Sequence, residues 1–546
     1  MASLAVALLV AACGGGGGGG PAGSQVSNPT RGQLAQNPPL RVTSMSPTEF
    51  AGELQAGGTS GQQLLTLALA NMTGGPALTA LPCGIDVQYI KYGTVGGNGE
   101  STIATGALMV PTGTSPACTG SATSGLPIVL YAHGTTITKR YNIADLTDST
   151  NPAYSEALLM AALYAAQGYI VVAPNYAGYD ASTLSYHPYV NAVQQSSDMI
   201  DALSAAKSAL PNLINPVTAN AKLYVTGYSQ GGYVAMATQQ AMEAQKALHP
   251  TDPTYPTVTA AAPMSGPYAL SLYVDSIFSG NVALGSTAFA PLLINSYKNS
   301  YPTDTFYSAL TDIYNPPFAT GIDTLVPGAY DFTSVFAGTP GKLPQTALFS
   351  STDPFNLTSN GFVPASNSTL QSNPLFSLGF AASGYLVNNT YRATYLTDAG
   401  TPSTANGSSA VSTPPFTLPS TTPSTPLRKR LAQNDLRAYS PVAPVLLCGG
   451  ANDPTVFFTA NTSVMAARWG ALGLLGSPAT GNAVLDVEQG STYTNWPYAA
   501  GFQGQFALSK ANYTTAYGAS GTAQAYHGTL VPPWCNKAAK LFFDLH

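Results

Sequence analysis

Blocks of continuous apolar residues and blocks of mixed, helix-spaced residues alternate along much of the chain. Ile85–Tyr92 and Thr102–Val110 read as two strands joined by the turn Gly96-Gly97-Asn98-Gly99. Leu126–Ala132 (LPIVLYA) is a short unbroken apolar run, the pattern of a strand buried on both faces. The spacing then predicts a helix over Tyr154–Gln167, a strand over Tyr169–Ala173 (YIVVA), a helix over Asn191–Leu210 and a strand over Lys222–Thr226. A helix over Gly231–Leu248 and a strand over Thr257–Ala262 continue the series. The alternation stops near Pro267. It resumes with a strand at Ala443–Cys448, a helix at Ala460–Leu475, a strand at Ala483–Val487 and a closing helix at Pro533–Leu545. Buried strands alternating with helices predict an α/β fold, with a mostly parallel central sheet flanked by helices. No internal repeat is evident.

The interruption sets the expected domain organisation. Residues 61–269 form the first part of the core and 436–546 the second. Between them lies a cap or lid insertion, 270–435, containing the low-complexity segment 401–427. Residues 1–13 read as a signal segment and 14–60 as a flexible tether, since Gly14–Gly20 is unbroken glycine. Leu4–Ala12 is too short to span a bilayer but suits the apolar region of a signal peptide. Val10-Ala11-Ala12-Cys13 resembles a bacterial lipobox, in which the cysteine is lipidated, although no Lys or Arg precedes it. The expectation is an exported protein, either anchored at the cell surface through Cys13 or plainly secreted.

Composition narrows the partners. The 546 residues include 19 basic and 24 acidic side chains, a net charge of −5. Charged residues are 8% of the chain, against ~25% in ordinary soluble domains, while hydrophobic residues reach 45%. That is ample material for a core, and no basic stripe exists to neutralise nucleic-acid phosphates. The only dense basic run, Arg428-Lys429-Arg430, reads as a solvated linker end. Besides Cys13 there are four cysteines, Cys83, Cys118, Cys448 and Cys535, which allow two disulfides in three connectivities. Pairing sequence neighbours gives Cys83–Cys118 and Cys448–Cys535. None of the four has metal-site spacing, and no cofactor is expected.

The strand LYVT runs directly into Gly227-Tyr228-Ser229-Gln230-Gly231-Gly232 with a predicted helix following. G-x-S-x-G in this context holds a serine nucleophile on a tight strand-to-helix turn, where a flanking Cβ has little room. With 54 glycines in the chain the motif alone discriminates little, so its place between strand and helix carries the assignment. A serine needs a base, and the order Ser, acid, His leaves His527 and the terminal His546 among five histidines. His527 lies before the last helix, in a predicted loop, and is the candidate base. Asp453, after the strand Ala443–Cys448, is the candidate acid that orients the imidazole. The oxyanion hole needs two backbone donors: Gln230 N–H, and Thr135 or Thr136 after LPIVLYA. His133 reads as a structural loop residue, and His249 as a helix-end residue.

These blocks also carry a resemblance. Tyr131-Ala132-His133-Gly134-Thr135-Thr136, Ala173-Pro174-Asn175-Tyr176-Ala177-Gly178-Tyr179-Asp180-Ala181-Ser182, His187-Pro188-Tyr189 and GYSQGG together resemble secreted bacterial α/β-hydrolases related to fungal lipase-A-type secretory lipases. The resemblance covers roughly residues 80–270 and 432–545. It implies an α/β-hydrolase fold and a carboxylester hydrolase whose triad falls on Ser229, Asp453 and His527, with the cap shaping the acyl pocket. The same resemblance brings His187 near the catalytic face without giving it a chemical role. Asn175 stands where the family usually has Asp, and Asp180 where it commonly has Gly. The leading expectation is an esterase or lipase acting on a small or polymeric ester through an acyl-enzyme. A secreted serine peptidase of the same fold, a polyester depolymerase and a non-catalytic binding module are the alternatives.

Overall fold

The apolar runs align side by side into one sheet of nine strands. In chain order these are β1 Leu40–Met45, β2 Gly84–Val95, β3 Ser101–Thr112, β4 Leu126–Ala132, β5 Ile170–Pro174, β6 Ala219–Tyr228, β7 Ala260–Met264, β8 Leu446–Gly449 and β9 Ala483–Asp486. Their order across the sheet is β9-β8-β7-β6-β4-β5-β3-β2-β1. The β1, β2, β3 edge is antiparallel, as is the β3–β5 junction, and everything from β5 to β9 is parallel. Every residue of β5, β7, β8 and β9 is buried, which is why those strands read as unbroken apolar runs rather than alternating ones. The computed structural model describes residues 24–120, 124–338, 341–351, 379–399, 422–477 and 481–546. The expected signal segment, the glycine tract, Cys13 and most of the low-complexity segment lie outside these residues.

Helices cover both faces. They are α1 Pro47–Ala56, α2 Gly58–Leu69, α3 Tyr154–Leu163, α4 Ala192–Ala209, α5 Gln230–Leu248, α6 Leu270–Ser279, α7 Ser286–Ser300, α8 Asn389–Ala399, α9 Pro426–Gln433, α10 Thr462–Ala471, α11 Ala499–Ala525 and α12 Pro532–Asp544. No described helix is long and apolar enough to cross a membrane. Between β7 and β8 the chain leaves the sheet and builds α6 to α9, the stretch expected as a cap. The register aligns Ala132 with Gly227, Tyr228 with Met264, and Met264 with Cys448. The C-terminal ends of β4, β6, β7 and β8 therefore form one row, the edge where open α/β sheets place their ligands.

Two expectations are corrected. Residues 24–60 do not behave as a tether. A two-residue pairing of Ser24–Gln25 with Gln36–Asn37 leads into β1, α1 and the start of α2. Helix α1 begins in a capping box, Ser46 Oγ accepting from Glu49 N–H while Glu49 accepts from Ser46 N–H, and it buries Phe50 and Leu54. The basic run is not a solvated linker either. It sits on α9, where Arg428 makes ion pairs with Asp275 of α6 and Asp398 of α8, and Arg430 pairs with Asp304. Each arginine binds a neighbouring part of the stretch between β7 and β8. The cysteines pair as Cys83–Cys118 and Cys448–Cys535, with Cα atoms 5.5 and 5.6 Å apart.

Candidate active site

β6 ends at Tyr228 and α5 starts at Gln230, so Ser229 alone makes the turn, at φ +60° and ψ −124°. A non-glycine residue in this conformation is strained and persists only where its surroundings hold it. Here Ser229 N–H donates to Met264 O at 2.9 Å, and Ser229 O receives Gly232 N–H at 2.9 Å. Turning so sharply brings α5 against β4. A Cβ on Gly231 would overlap Ala132 O, and one on Gly227 would overlap both Gly231 O and Ala132 O. The glycines are what permit the approach.

The expected acid, Asp453, and the expected base, His527, arrive from later segments. Ser229 Oγ–H lies 2.7 Å from His527 Nε2, and His527 Nδ1–H lies 2.6 Å from Asp453 Oδ2. Asp453 is buried, and its other oxygen, Oδ1, receives Thr455 N–H at 2.9 Å and Val456 N–H at 3.0 Å. Asp453 follows β8, as its sequence position suggested. His527 does not sit in a loop. It lies on a π-helical turn, Tyr526–Leu530, that joins α11 to α12. Pro532 and Pro533 bring no amide to continue an α-helical ladder, and Val531 N–H reaches back five residues to Tyr526 O at 3.1 Å. Acidic residues that no motif announced also support this side. Asp486, the last residue of β9, receives Ala451 N–H at 3.0 Å and holds the acid-bearing turn; burial raises its carboxyl pKa.

The loop after β4 faces Ser229. Thr135 lines the cavity described below, together with Ser229 and Gln230. Thr136 turns inward instead, its Oγ1 accepting from Thr138 N–H and its carbonyl from Tyr179 O–H. A carboxylate from α3 fixes the loop: Glu156 Oε1 receives Gly134 N–H at 3.1 Å and Tyr131 O–H at 2.7 Å, and Oε2 receives Tyr141 O–H at 2.8 Å. His133 stacks between Tyr141 and Tyr176, with ring centroids 4.3 and 4.1 Å away, and burial lowers its pKa. It is a packed structural residue.

His187 has a definite task. Its Nδ1–H donates to Ala177 O at 2.9 Å, which leaves Nε2 to accept from the Gln230 amide at 2.7 Å. Burial pushes its pKa down to about 3, so the ring stays neutral and keeps that tautomer. His187 thereby fixes the side chain of the residue that follows Ser229. The two family departures meet elsewhere: the Asn175 amide donates to Thr105 Oγ1, and Thr105 O–H donates to Asp180, which also receives Tyr89 O–H. They form one hydrogen-bonded chain that does not touch Ser229, His527 or Asp453.

A cavity opens over Ser229, with about 900 Å³ of empty space including its mouth. Thr135, Ser229 and Gln230 form its floor, and Leu270, Ile277, Phe278, Phe289, Leu293 and Tyr391, from the stretch between β7 and β8, contribute to its walls. No charged side chain lines it among the described residues.

Comparison with known proteins agrees with this architecture. The model of the prolyl oligopeptidase family matches residues 155–269, from α3 through the Ser229 turn to the start of the cap. No curated protein sequence matches the chain significantly. A rice cell wall degrading esterase, LipA, of Xanthomonas oryzae is 23% identical and superposes with a TM-score of 0.56, over 87% of this chain and 95% of its own. A putative hydrolase of Legionella pneumophila is 19% identical, TM-score 0.53, over 88% of this chain and 94% of that one. Lipase A of Candida antarctica, 13% identical over 90% of this chain and 83% of its own with a TM-score of 0.42, is too distant to carry the fungal part of the resemblance. The nine-stranded sheet, its flanking helices and these likenesses make the chain an α/β-hydrolase fold.

Proposed function

We propose that the protein is an exported serine carboxylester hydrolase that seats an apolar acyl chain beneath its cap. The observation that carries this reading is a hydrogen-bonded Ser229–His527–Asp453 series whose serine lies at the floor of a cavity lined, among the described residues, by uncharged side chains. Ser229 Oγ attacks the ester carbonyl carbon as its proton passes to His527 Nε2. Asp453 stabilises the imidazolium, and the N–H groups of Gln230 and Thr135 receive the developing oxyanion. His527 then protonates the leaving alkoxide, and the acyl group remains on Ser229. Water, deprotonated by His527, attacks that acyl-enzyme and releases the carboxylic acid. No cofactor enters these steps.

The prolyl oligopeptidase match favours a second reading, cleavage of peptides by the same three residues. A free peptide N-terminus is a cation and wants a carboxylate beside it, and among the described residues none that lines the cavity is acidic. The cavity suits a hydrocarbon chain better. Two disulfides support export, and we place the lipid anchor, where one is attached, on Cys13. Hydrolysis of p-nitrophenyl esters from acetate to palmitate, beside a peptide p-nitroanilide, tests both readings with wild type and Ser229→Ala. Ester turnover that disappears in the variant is the expected result. Amide turnover without ester turnover replaces the esterase with the peptidase. Retained ester turnover in Ser229→Ala removes the nucleophile assignment.

A further inference from the structure

Asp453 and His527 are 74 residues apart in sequence and meet through one hydrogen bond of 2.6 Å. Both sit on turns rather than on sheet strands, so something outside the pair has to fix the distance between those turns. One side chain touches the sequence neighbour of each. Glu488, two residues past β9, accepts through Oε2 from Asn452 N–H at 3.2 Å and from the Asn452 side-chain amide at 2.9 Å. The same Oε2 receives the hydroxyl of Tyr526. Asn452 precedes the acid, and Tyr526 precedes the base.

The carboxylate is well placed to hold both. Its side chain is 11% exposed, and Oε1 takes the Lys510 ammonium from α11. Glu488 N–H donates to Asp486 Oδ1 at 2.9 Å, the oxygen that also receives Ala451 N–H. Tyr526 is buried and packs so closely on the acid-bearing turn that a Cβ on Gly450 would overlap its hydroxyl. Burial and the adjoining carboxylate raise the Tyr526 pKa well above that of an ordinary phenol, which keeps it a donor.

We propose that Glu488 is a positioning residue that sets the Asp453–His527 geometry by binding Asn452 and Tyr526 at once. The proposal rests on the reading of Ser229, His527 and Asp453 as a triad. An error of ~1 Å in such a geometry costs on the order of a hundredfold in rate. Loss of the clamp acts through Asp453, so the imidazolium that forms on His527 is stabilised less.

The test is steady-state hydrolysis of p-nitrophenyl butyrate by Glu488→Gln, Tyr526→Phe and Lys510→Met, with active sites counted by a phosphonate titrant. Glu488→Gln is expected to lower kcat per titrated site by roughly ten- to a hundredfold with KM changed less than about twofold. The acidic limb of its kcat/KM profile shifts to lower pH. Tyr526→Phe moves both quantities the same way by less, and the double variant falls short of the product of the singles. Lys510→Met, which leaves both turns bonded to Glu488, lowers kcat per titrated site less than Glu488→Gln does. A wild-type kcat per titrated site and an unmoved pH profile in Glu488→Gln overturn the proposal, even where its melting temperature falls. Should Glu488→Gln fail to fold, an unmoved profile in Tyr526→Phe overturns it equally. Retained turnover in Ser229→Ala breaks the triad reading instead.

Discussion

The two sides of the site are held in different ways. Around Ser229 backbone packs directly on backbone: β4, β6 and α5 come together with Gly227 and Gly231 against Ala132 O, and the turn is tied to Met264. Around Asp453 and His527 the holding is done by side chains and a covalent bridge. Asp486 holds the turn that carries the acid, and Cys448–Cys535 joins the end of β8 to α12 just beyond the base. Backbone packing leaves no slack and admits few substitutions. Side-chain clamps can be weakened one at a time, so the Asp453–His527 side is the adjustable half of the site.

The largest expected effect lies in that half. Asp453→Asn keeps the shape of the turn but presents an amide where His527 Nδ1–H needs an acceptor, and kcat is expected to fall by about 10⁴. Steady-state ester hydrolysis measures it, and a rate near wild type would remove Asp453 from the triad. Breaking the bridge comes next. Cys448→Ala with Cys535→Ala frees two segments 87 residues apart, a change worth about 2–4 kcal/mol in urea unfolding. The comparison requires kcat per active site to fall as well, whereas loss of Cys83–Cys118, on the far part of the sheet, should lower stability alone. On the rigid side, Gly231→Ala forces a methyl against Ala132 O. About 1–3 kcal/mol of stability is expected to go, with turnover following because Ser229 moves with the turn. Wild-type stability and rate in Gly231→Ala would show that the nucleophile side has slack after all.

The same contrast explains what the sequence disclosed. Close backbone approach demands glycine, so the Ser229 turn leaves a motif, and strands buried on both faces leave apolar runs such as YIVVA. Asp453 is legible as a candidate because it follows a strand at the row of strand ends. Clamps leave no such mark. Asp486 and Glu488 are single acids in ordinary surroundings, and only the fold brings them to Ala451 and Asn452. Helix α11 escaped for a related reason: over 27 residues it buries only Phe502, Phe506, Thr522 and Ala525, too few for an apolar stripe, and Gly518 at φ +72° breaks it. Without an apolar stripe to mark that helix, the sequence around His527 reads as a loop. The N-terminal region is a different case, since Ser46-Pro47-Thr48-Glu49 before Phe50 and Leu54 is a capping-box signature that composition overshadowed.

The smallest expected effect separates the two sides by pH. Lys537, two residues past Cys535 on α12, is buried with its ammonium 3.2 Å from Ala68 O at the end of α2. Burial, with Lys540 nearby, lowers its pKa from 10.5 to about 8, against a smaller opposing pull from Asp544. Below about pH 8 both folded and unfolded chains carry this proton, and the fold bears the cost of burying the charge. Between about 8 and 10.5 the unfolded chain binds the proton and the folded chain does not, so stability rises with pH. The gain across that window is roughly 1–2 kcal/mol once solvent access to the ammonium is allowed for. His187, on the nucleophile side, acts at the other end of the scale. With its pKa near 3, stability is lost as pH falls from 6.5 toward that value, because only the unfolded chain takes up the proton. Urea midpoints for wild type and Lys537→Met at several pH values from 7.5 to 10.5 isolate the alkaline term. The methionine variant should be favoured most at the lowest pH, and its advantage should shrink steadily as Lys537 discharges. Parallel curves would mean that Lys537 gains no stability by discharging, and the pH contrast between the two halves of the site would then rest on His187 alone.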